Sequence, residues 1–204
     1  MKREADIKEI LISNAIHLIA EGGFEKATTK ELTHYSGHLP DFKMNEVYIY
    51  RLFGSKEHLY ESVFICLDQE LFYALRTGAQ AVKGMDVSWK ERMHRFFIFA
   101  WEFLLRNEER CRCYVRYYYS VYFKGQAREK HNVLFQRIVT DFSPIFKEEA
   151  DVEAILHSVL TTLMDFAIRV HNGDLEDNEN NRLHIFNVLY SMMATYLKEP
   201  VAAS

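Results

Sequence analysis

The sequence predicts an all-α protein on three observations. Apolar residues recur at three- and four-residue steps, strand-like alternation bounded by turn signals is nearly absent, and helix breakers are few, with 8 Gly and 3 Pro in 204 residues.

The elements follow in order. A first amphipathic helix carries Ile7, Ile10, Leu11, Ala15, Leu18 and Ile19 on one face and stops at Gly22-Gly23, where glycine accommodates the left-handed conformation that closes a helix. Thr28-Thr29-Lys30-Glu31 has the form of a capping box, which opens a short second helix running to about Ser36. Gly37 to Lys43 reads as a loop, because Pro40 has no amide hydrogen and pushes Leu39 toward an extended conformation. Asn45 is placed to cap a third helix through Val47, Ile49, Tyr50, Leu52 and Phe53, which Gly54 ends. Ser55 caps a fourth helix that starts at Lys56, runs through Leu59, Val63, Leu67 and Leu71, and fades near Gly78. The loop at 78–88 is the one composition shift that marks a boundary. Ser88-Trp89-Lys90-Glu91 is a second capping box, opening a helix with Met93, Phe96, Phe97, Ala100, Trp101 and Leu104. Further helices are expected at about 108–123, 126–142 and 150–172, the last ending at Asn172-Gly173, with a final one at about 179–198 before Pro200.

Composition bounds the function classes. With 49% hydrophobic and 26% charged residues, a folded core is expected, and a collagen-like or disordered chain is excluded. The net charge of -4 gives no global basic signal, so nucleic-acid binding needs a local argument. Cys66, Cys111 and Cys113 are an odd number without zinc spacing, which points to a reducing compartment and no metal site. His34 and His38 read as surface residues, since Gly37 and Pro40 deny them a common helix face. No cofactor is expected. A charged N-terminus and the lack of any run of 18 apolar residues lead to the expectation of a soluble, cytoplasmic protein without a membrane partner. Nucleophile elbow, phosphate-cradling glycine loop and metalloprotease motif are all missing, so an enzyme is not expected.

The first 65 residues carry the sharpest signal. A long helix, a capped short helix, a turn and another short helix ending in Tyr50-Arg51-Leu52-Phe53 form a helix-turn-helix unit. Ala-Thr-Thr-Lys-Glu-Leu at 27–32, Ser36-Gly37, and Tyr-Arg-Leu-Phe-Gly-Ser-Lys-Glu-His-Leu at 50–59 resemble the tetracycline-repressor-like (TetR family) transcription regulators. The resemblance implies a helix-turn-helix DNA-binding domain over 1–55 and a ligand-binding and dimerisation bundle over 56–204. It also implies a homodimer on a palindromic double-stranded operator and a small-molecule effector, with repression the expected sign. The alternative is a helical ligand-binding or protein-interaction protein of the same fold that has lost sequence-specific DNA binding.

Candidate DNA contacts are Thr28, Thr29 and Lys30 on the second helix, Lys43, Asn45, Glu46, Tyr48, Tyr50 and Arg51 on and before the third, and Lys56 on the fourth. By resemblance, Thr29, Tyr50 and Lys56 match positions that touch the DNA backbone, while the third helix reads bases. Independently, Lys56 lies in the first turn of a helix capped by Ser55, beside amides that favour an anion. The chain departs from the family pattern in two ways. Sixteen positions separate Gly37 from Phe53, about six more than the usual three- or four-residue turn allows. The third helix carries Glu46, Val47 and Tyr48 where small or basic residues are common. Glu46 either accepts from a cytosine amine or serves as an N-terminal charge on the helix dipole. Residues 1–60 hold eight Lys and Arg against nine Asp and Glu, a net of 8 − 9 = −1.

The middle of the chain is rich in aromatics. Tyr117, Tyr118 and Tyr119 span most of a helical turn, so all three cannot face one core, which favours a partly polar aromatic cavity. The resemblance implies a pocket among the central helices, with Phe97, Trp101, Tyr118, His131, Phe135 and Phe166 as lining candidates for an effector that is apolar or partly aromatic. Asp165, two turns from His157, is either a buried polar group facing a pocket or an exposed flank. The last two helices each carry an apolar stripe about 30 Å long, too much for one seam. Leu156, Val159, Leu160, Leu163, Leu189, Met193 and Tyr196 are therefore the dimerisation candidates, for a two-fold four-helix interface.

Overall fold

A computed structural model describes residues 2–34 and 44–198. Ser36-Gly37, the Pro40 loop, His38, Lys43 and Pro200 lie outside the described residues. The expected helices form, among the described residues, as α1 (Lys2–Lys26), α2 (Thr29–His34), α3 (Val47–Phe53), α4 (Lys56–Val82), α5 (Trp89–Arg106), α6 (Glu108–Tyr118), α7 (Gly125–Phe142), α8 (Val152–His171) and α9 (Glu179–Ala194), with a 3-10 turn at Ser143–Ile145.

The caps act where the side chains invite them. Thr28 Oγ1 accepts from the Glu31 amide at 3.2 Å, Asn45 Oδ1 from Val47 at 3.1 Å, Ser55 Oγ from His58 at 3.1 Å and Ser88 Oγ from Glu91 at 3.2 Å. Each satisfies one amide that a helix start leaves without an intrahelical partner. Gly23 breaks α1 with φ 76°, and Gly54 ends α3 with φ 82°.

Three boundaries differ from the sequence expectation. Helix α4 does not fade at Gly78 but runs on to Val82, because Phe99 of α5 packs where a side chain would stand; a Cβ there would lie 2.5 Å from the ring. Helix α6 ends at Tyr118 rather than 123, since Ser120 turns the chain: its Oγ accepts from the Tyr122 amide, and the Tyr122 carbonyl accepts from Tyr117 Oη. Helix α9 stops at Ala194 because Leu197 forms an antiparallel bridge with Phe146, and Lys198 N donates to the Ile145 carbonyl.

The chain groups into two units, one of residues up to Gln69 with Glu109–His131, the other of Glu70–Glu108 with residues from Asn132 on. In the first unit, most of the stripe read on α1 is core. Ile7, Leu11, Ala15, Leu18 and Ile19 are buried with Leu32 of α2, Ile49 of α3 and Leu59 and Val63 of α4, while Ile10 is half-buried at its edge. Asn14 Nδ2 donates to the Leu32 carbonyl at 2.9 Å, fixing the end of α2 to α1. An aromatic cluster continues this core, with Phe24 ring centroids 5.1 Å from Tyr60 and 4.6 Å from Tyr122, and Phe64 stacked on Tyr117 at 4.6 Å. Asp68, almost fully buried, accepts from Tyr114 Oη at 3.1 Å and lies 2.9 Å from His131 Nδ1.

In the second unit, Trp101 is fully buried. Its Nε1 donates to Asp177 at 3.0 Å, and Arg182 grips the same carboxylate through two bonds of 2.7 and 2.6 Å. The Arg182 bonds hold the Asp177 carboxyl below its ordinary range.

Burial pushes the Cys113 thiol up to about 12 and raises the phenols of Tyr60, Tyr114 and Tyr117, all in the first unit. An acid whose pKa rises on folding keeps its stabilising contribution at low pH. That contribution is lost once the unfolded form ionises and the folded form cannot. Thermal unfolding should show a midpoint that falls steadily between pH 9 and 12, as first the thiol and then the phenols would ionise on unfolding. Cys113→Ala should flatten the first part of that fall, and an equally steep fall in the variant would contradict it.

Candidate functional site

Helix α3 owes its orientation to one residue. Ile49 is fully buried, and the 3.6-residue turn therefore turns Val47 (64% exposed), Tyr50 (54% exposed) and Arg51 outward. Thr28 and Lys30 are exposed at the start of α2, and Thr29 beside them is half-buried. Arg51 lies over the Tyr48 ring at 4.7 Å, and its Nη2 is 3.5 Å from Glu4 Oε1. Lys56, in the first turn of α4, sits 5.6 Å above the Tyr60 ring. The first unit thus gathers Thr28, Thr29, Lys30, Asn45, Glu46, Tyr48, Tyr50, Arg51 and Lys56 on α2, α3 and the turns that start α3 and α4. Lys43 is not among the described residues.

Two side chains matter in ways the linear pattern did not disclose. Val47 was noted only as a departure from the family pattern, yet it is the most exposed apolar residue of α3; the buried Ile49 two positions on was the available signal. Glu46 caps no helix with its side chain. Its Oε2 instead accepts a hydrogen bond of 2.7 Å from Thr29 Oγ1.

The six effector candidates separate. Phe97 and Phe135 line an apolar cavity of about 80 Å³ in the second unit. Trp101 is taken up by Asp177, and Phe166 lies under the Arg169 guanidinium at 5.6 Å. Tyr118 and His131 belong to the first unit, with ring centroids 5.4 Å apart. Of the three tyrosines behind the expected partly polar aromatic cavity, Tyr117 is buried, Tyr118 half-buried and Tyr119 70% exposed. Asp165 is exposed.

The cavity is walled by Phe72 and Leu75 of α4, Met93, Phe96, Phe97 and Ala100 of α5, and Phe135, Ile138 and Phe142 of α7. Phe146, Leu156, Val159, Leu160 and Leu163, then Phe186, Leu189, Tyr190 and Met193 of α9, complete it. Tyr190 alone among these carries a hydroxyl, and none carries a charge, so an ion inside would lose its hydration without compensation. The volume admits about half a dozen water-sized spheres, less than a benzene-binding cavity, and the flexible Met93 and Met193 are the walls that give most readily. Of the dimerisation candidates, Leu163, Leu189 and Met193 are buried in the protomer's own core. Leu156, Val159 and Leu160 are half-buried and also face the cavity, and Tyr196 is 42% exposed.

Neither a family sequence model nor a curated protein sequence matches the chain. Solved structures do. A TetR family transcription regulator from Marinobacter aquaeolei VT8 superposes with a TM-score of 0.71 at 14% identity, over 94% of this chain and 98% of that one. The fold is that of the TetR-family transcription regulators. The fatty acid degradation regulator FadR from Bacillus halodurans is also similar, with a TM-score of 0.63 at 16% identity over 89% of this chain and 96% of its own. The words that carried the resemblance in sequence, residues 27–32 and 50–59, fall on α2 and on α3 with the start of α4 in this TetR-like fold. Among the described residues, no helix is long and apolar enough to cross a membrane.

Xenon, an apolar probe small enough for this cavity, should bind it, and Ala100→Leu, which adds three carbons to its wall, should weaken that binding at least fivefold while leaving the circular dichroism unchanged. Equal binding by the variant would place the xenon elsewhere.

Proposed function

We propose that the chain is a transcription regulator that binds a palindromic operator as a homodimer and changes its DNA affinity when an apolar or partly aromatic small molecule enters the cavity, with repression as the sign of regulation. The observation that carries the reading is the set of α3, whose buried Ile49 turns Val47, Tyr50 and Arg51 outward between the hydroxyls of α2 and Lys56. A short helix so presented suits a major groove, and its flanking hydroxyls and cations suit phosphates. Residues 1–55 form the DNA-binding part and 56–204 the effector and dimerisation part.

The partly exposed apolar surface at Leu156, Val159 and Leu160 of α8 and at Tyr196, just past the end of α9, supports pairing of two copies. Two-fold pairing would set two recognition helices about 34 Å apart on successive grooves. Helix α4 carries Lys56 at one end and contributes Phe72 and Leu75 to the cavity near the other. Effector binding is therefore coupled to DNA through a tilt of α4, provided the effector has different affinities for the two states. The nearly all-apolar lining favours the hydrocarbon part of a ligand, in keeping with a fatty acid degradation regulator among the similar structures.

A second reading, association with ligand or protein after loss of DNA binding, is favoured by the net charge of residues 1–60 and by the bond between Thr29 and Glu46. Selection of random duplexes by the purified protein, with and without candidate effectors, separates the two. An enriched palindrome with a steep salt dependence is expected, and failure to enrich any sequence selects the second reading. On the enriched duplex, Lys56→Ala and Arg51→Ala should each weaken binding about fivefold or more, and unchanged affinity in both would remove these residues from the interface.

A further inference from the structure

Two acidic side chains engage donors of the proposed DNA-binding face. Thr29 Oγ1–H donates to Glu46 Oε2 at 2.7 Å, and Arg51 Nη2 lies 3.5 Å from Glu4 Oε1. The first contact is the stronger. It is short and charge-assisted, whereas the Arg51–Glu4 pair is long and half-exposed on both sides. Thr29 opens α2 and Glu46 immediately precedes α3, so the bond joins the starts of the two helices.

A hydroxyl has one hydrogen to give. While Glu46 holds it, Thr29 cannot donate to a phosphate oxygen, and a carboxylate stands where that phosphate would arrive. Asn45, not Glu46, caps α3, so the carboxylate is not needed to start the helix.

We propose that Glu46 is an internal competitor for phosphate that determines specificity by opposing the binding of random DNA. Binding exchanges one hydrogen bond for another: Thr29 Oγ1–H leaves the carboxylate and donates to a phosphate oxygen, and the freed carboxylate swings away from the backbone. A duplex that offers matching base edges to α3 compensates for this exchange, and a random duplex offers only phosphates. The inference rests on the DNA-binding reading above and goes beyond it in giving an acidic residue a role that strengthens discrimination while weakening affinity.

The test measures binding of full-length wild type, Glu46→Gln, Glu46→Ala and Thr29→Val to a random-sequence duplex and to the duplex that the wild type enriches, at several salt concentrations. Glu46→Gln keeps the shape and an acceptor for Thr29 while removing the charge. It should bind the random duplex roughly three- to tenfold tighter, with a log–log salt slope steeper by up to about 0.9, and should narrow the ratio between enriched and random duplexes. The gain from Glu46→Ala should shrink in a Thr29→Val background, where no hydroxyl is released. If the wild type binds and Glu46→Gln binds the random duplex equally or more weakly, the proposal alone is overturned. Loss confined to the enriched duplex would make Glu46 a base-reading residue and overturn it likewise. Absence of binding by every folded variant to every duplex would remove the DNA-binding reading itself.

Discussion

The carbonyl of Ala27 sits in the break between α1 and α2, fully buried and without a helical partner, and Tyr60 of α4 donates its hydroxyl to it. An unsatisfied carbonyl there would cost about 1–3 kcal/mol, so the position of α2 depends on Tyr60 remaining in place. Tyr60 in turn is held by Phe24 and Tyr122, edge to face. The start of α2, and with it the exposure of Thr28, Thr29 and Lys30, is thus set by an aromatic cluster rather than by α2 itself. A six-residue helix has too few internal bonds to define its own orientation.

Legibility in the sequence followed the range of the forces involved. Apolar spacing and side-chain caps act within a few residues, and Ile7, Leu11, Ala15, Leu18 and Ile19 were readable as a buried stripe for that reason, as were Thr28, Asn45, Ser55 and Ser88 as caps. Helix ends set by distant residues were not. The continuation of α4 through Gly78 depends on Phe99, and the early end of α9 depends on Phe146. The residues proposed to face DNA lie within one continuous stretch of sequence, but the partner of Glu46 was not legible there, since Thr29 is seventeen positions away. The cavity was least legible of all. An aromatic residue that borders a void and one that fills a core share the same spacing, so Phe97 and Trp101 look alike until one is found on the wall and the other on Asp177.

The two units handle polar groups differently. The first buries a carboxylate, an imidazole and a phenol together at Asp68, His131 and Tyr114, where each meets a partner. A buried group of this kind specifies one arrangement, because any other leaves a polar atom without a bond. The second unit ties Asp177 to Arg182 and to the Trp101 indole, and lines its cavity almost entirely with hydrocarbon. Hydrocarbon walls tolerate rearrangement among rotamers with little electrostatic cost.

Leu156, Val159 and Leu160 border the cavity and are also half-exposed on the surface of α8. A side chain with two faces cannot adjust to an occupant on one side without altering the surface it offers on the other. In the proposed effector-binding homodimer, filling the cavity and covering the outer face of α8 would therefore be linked events, and linkage is reciprocal. Whatever free energy an occupant added to or removed from that association, association would return in equal measure to the occupant's affinity, and the apparent affinity for a small molecule would become a function of protein concentration.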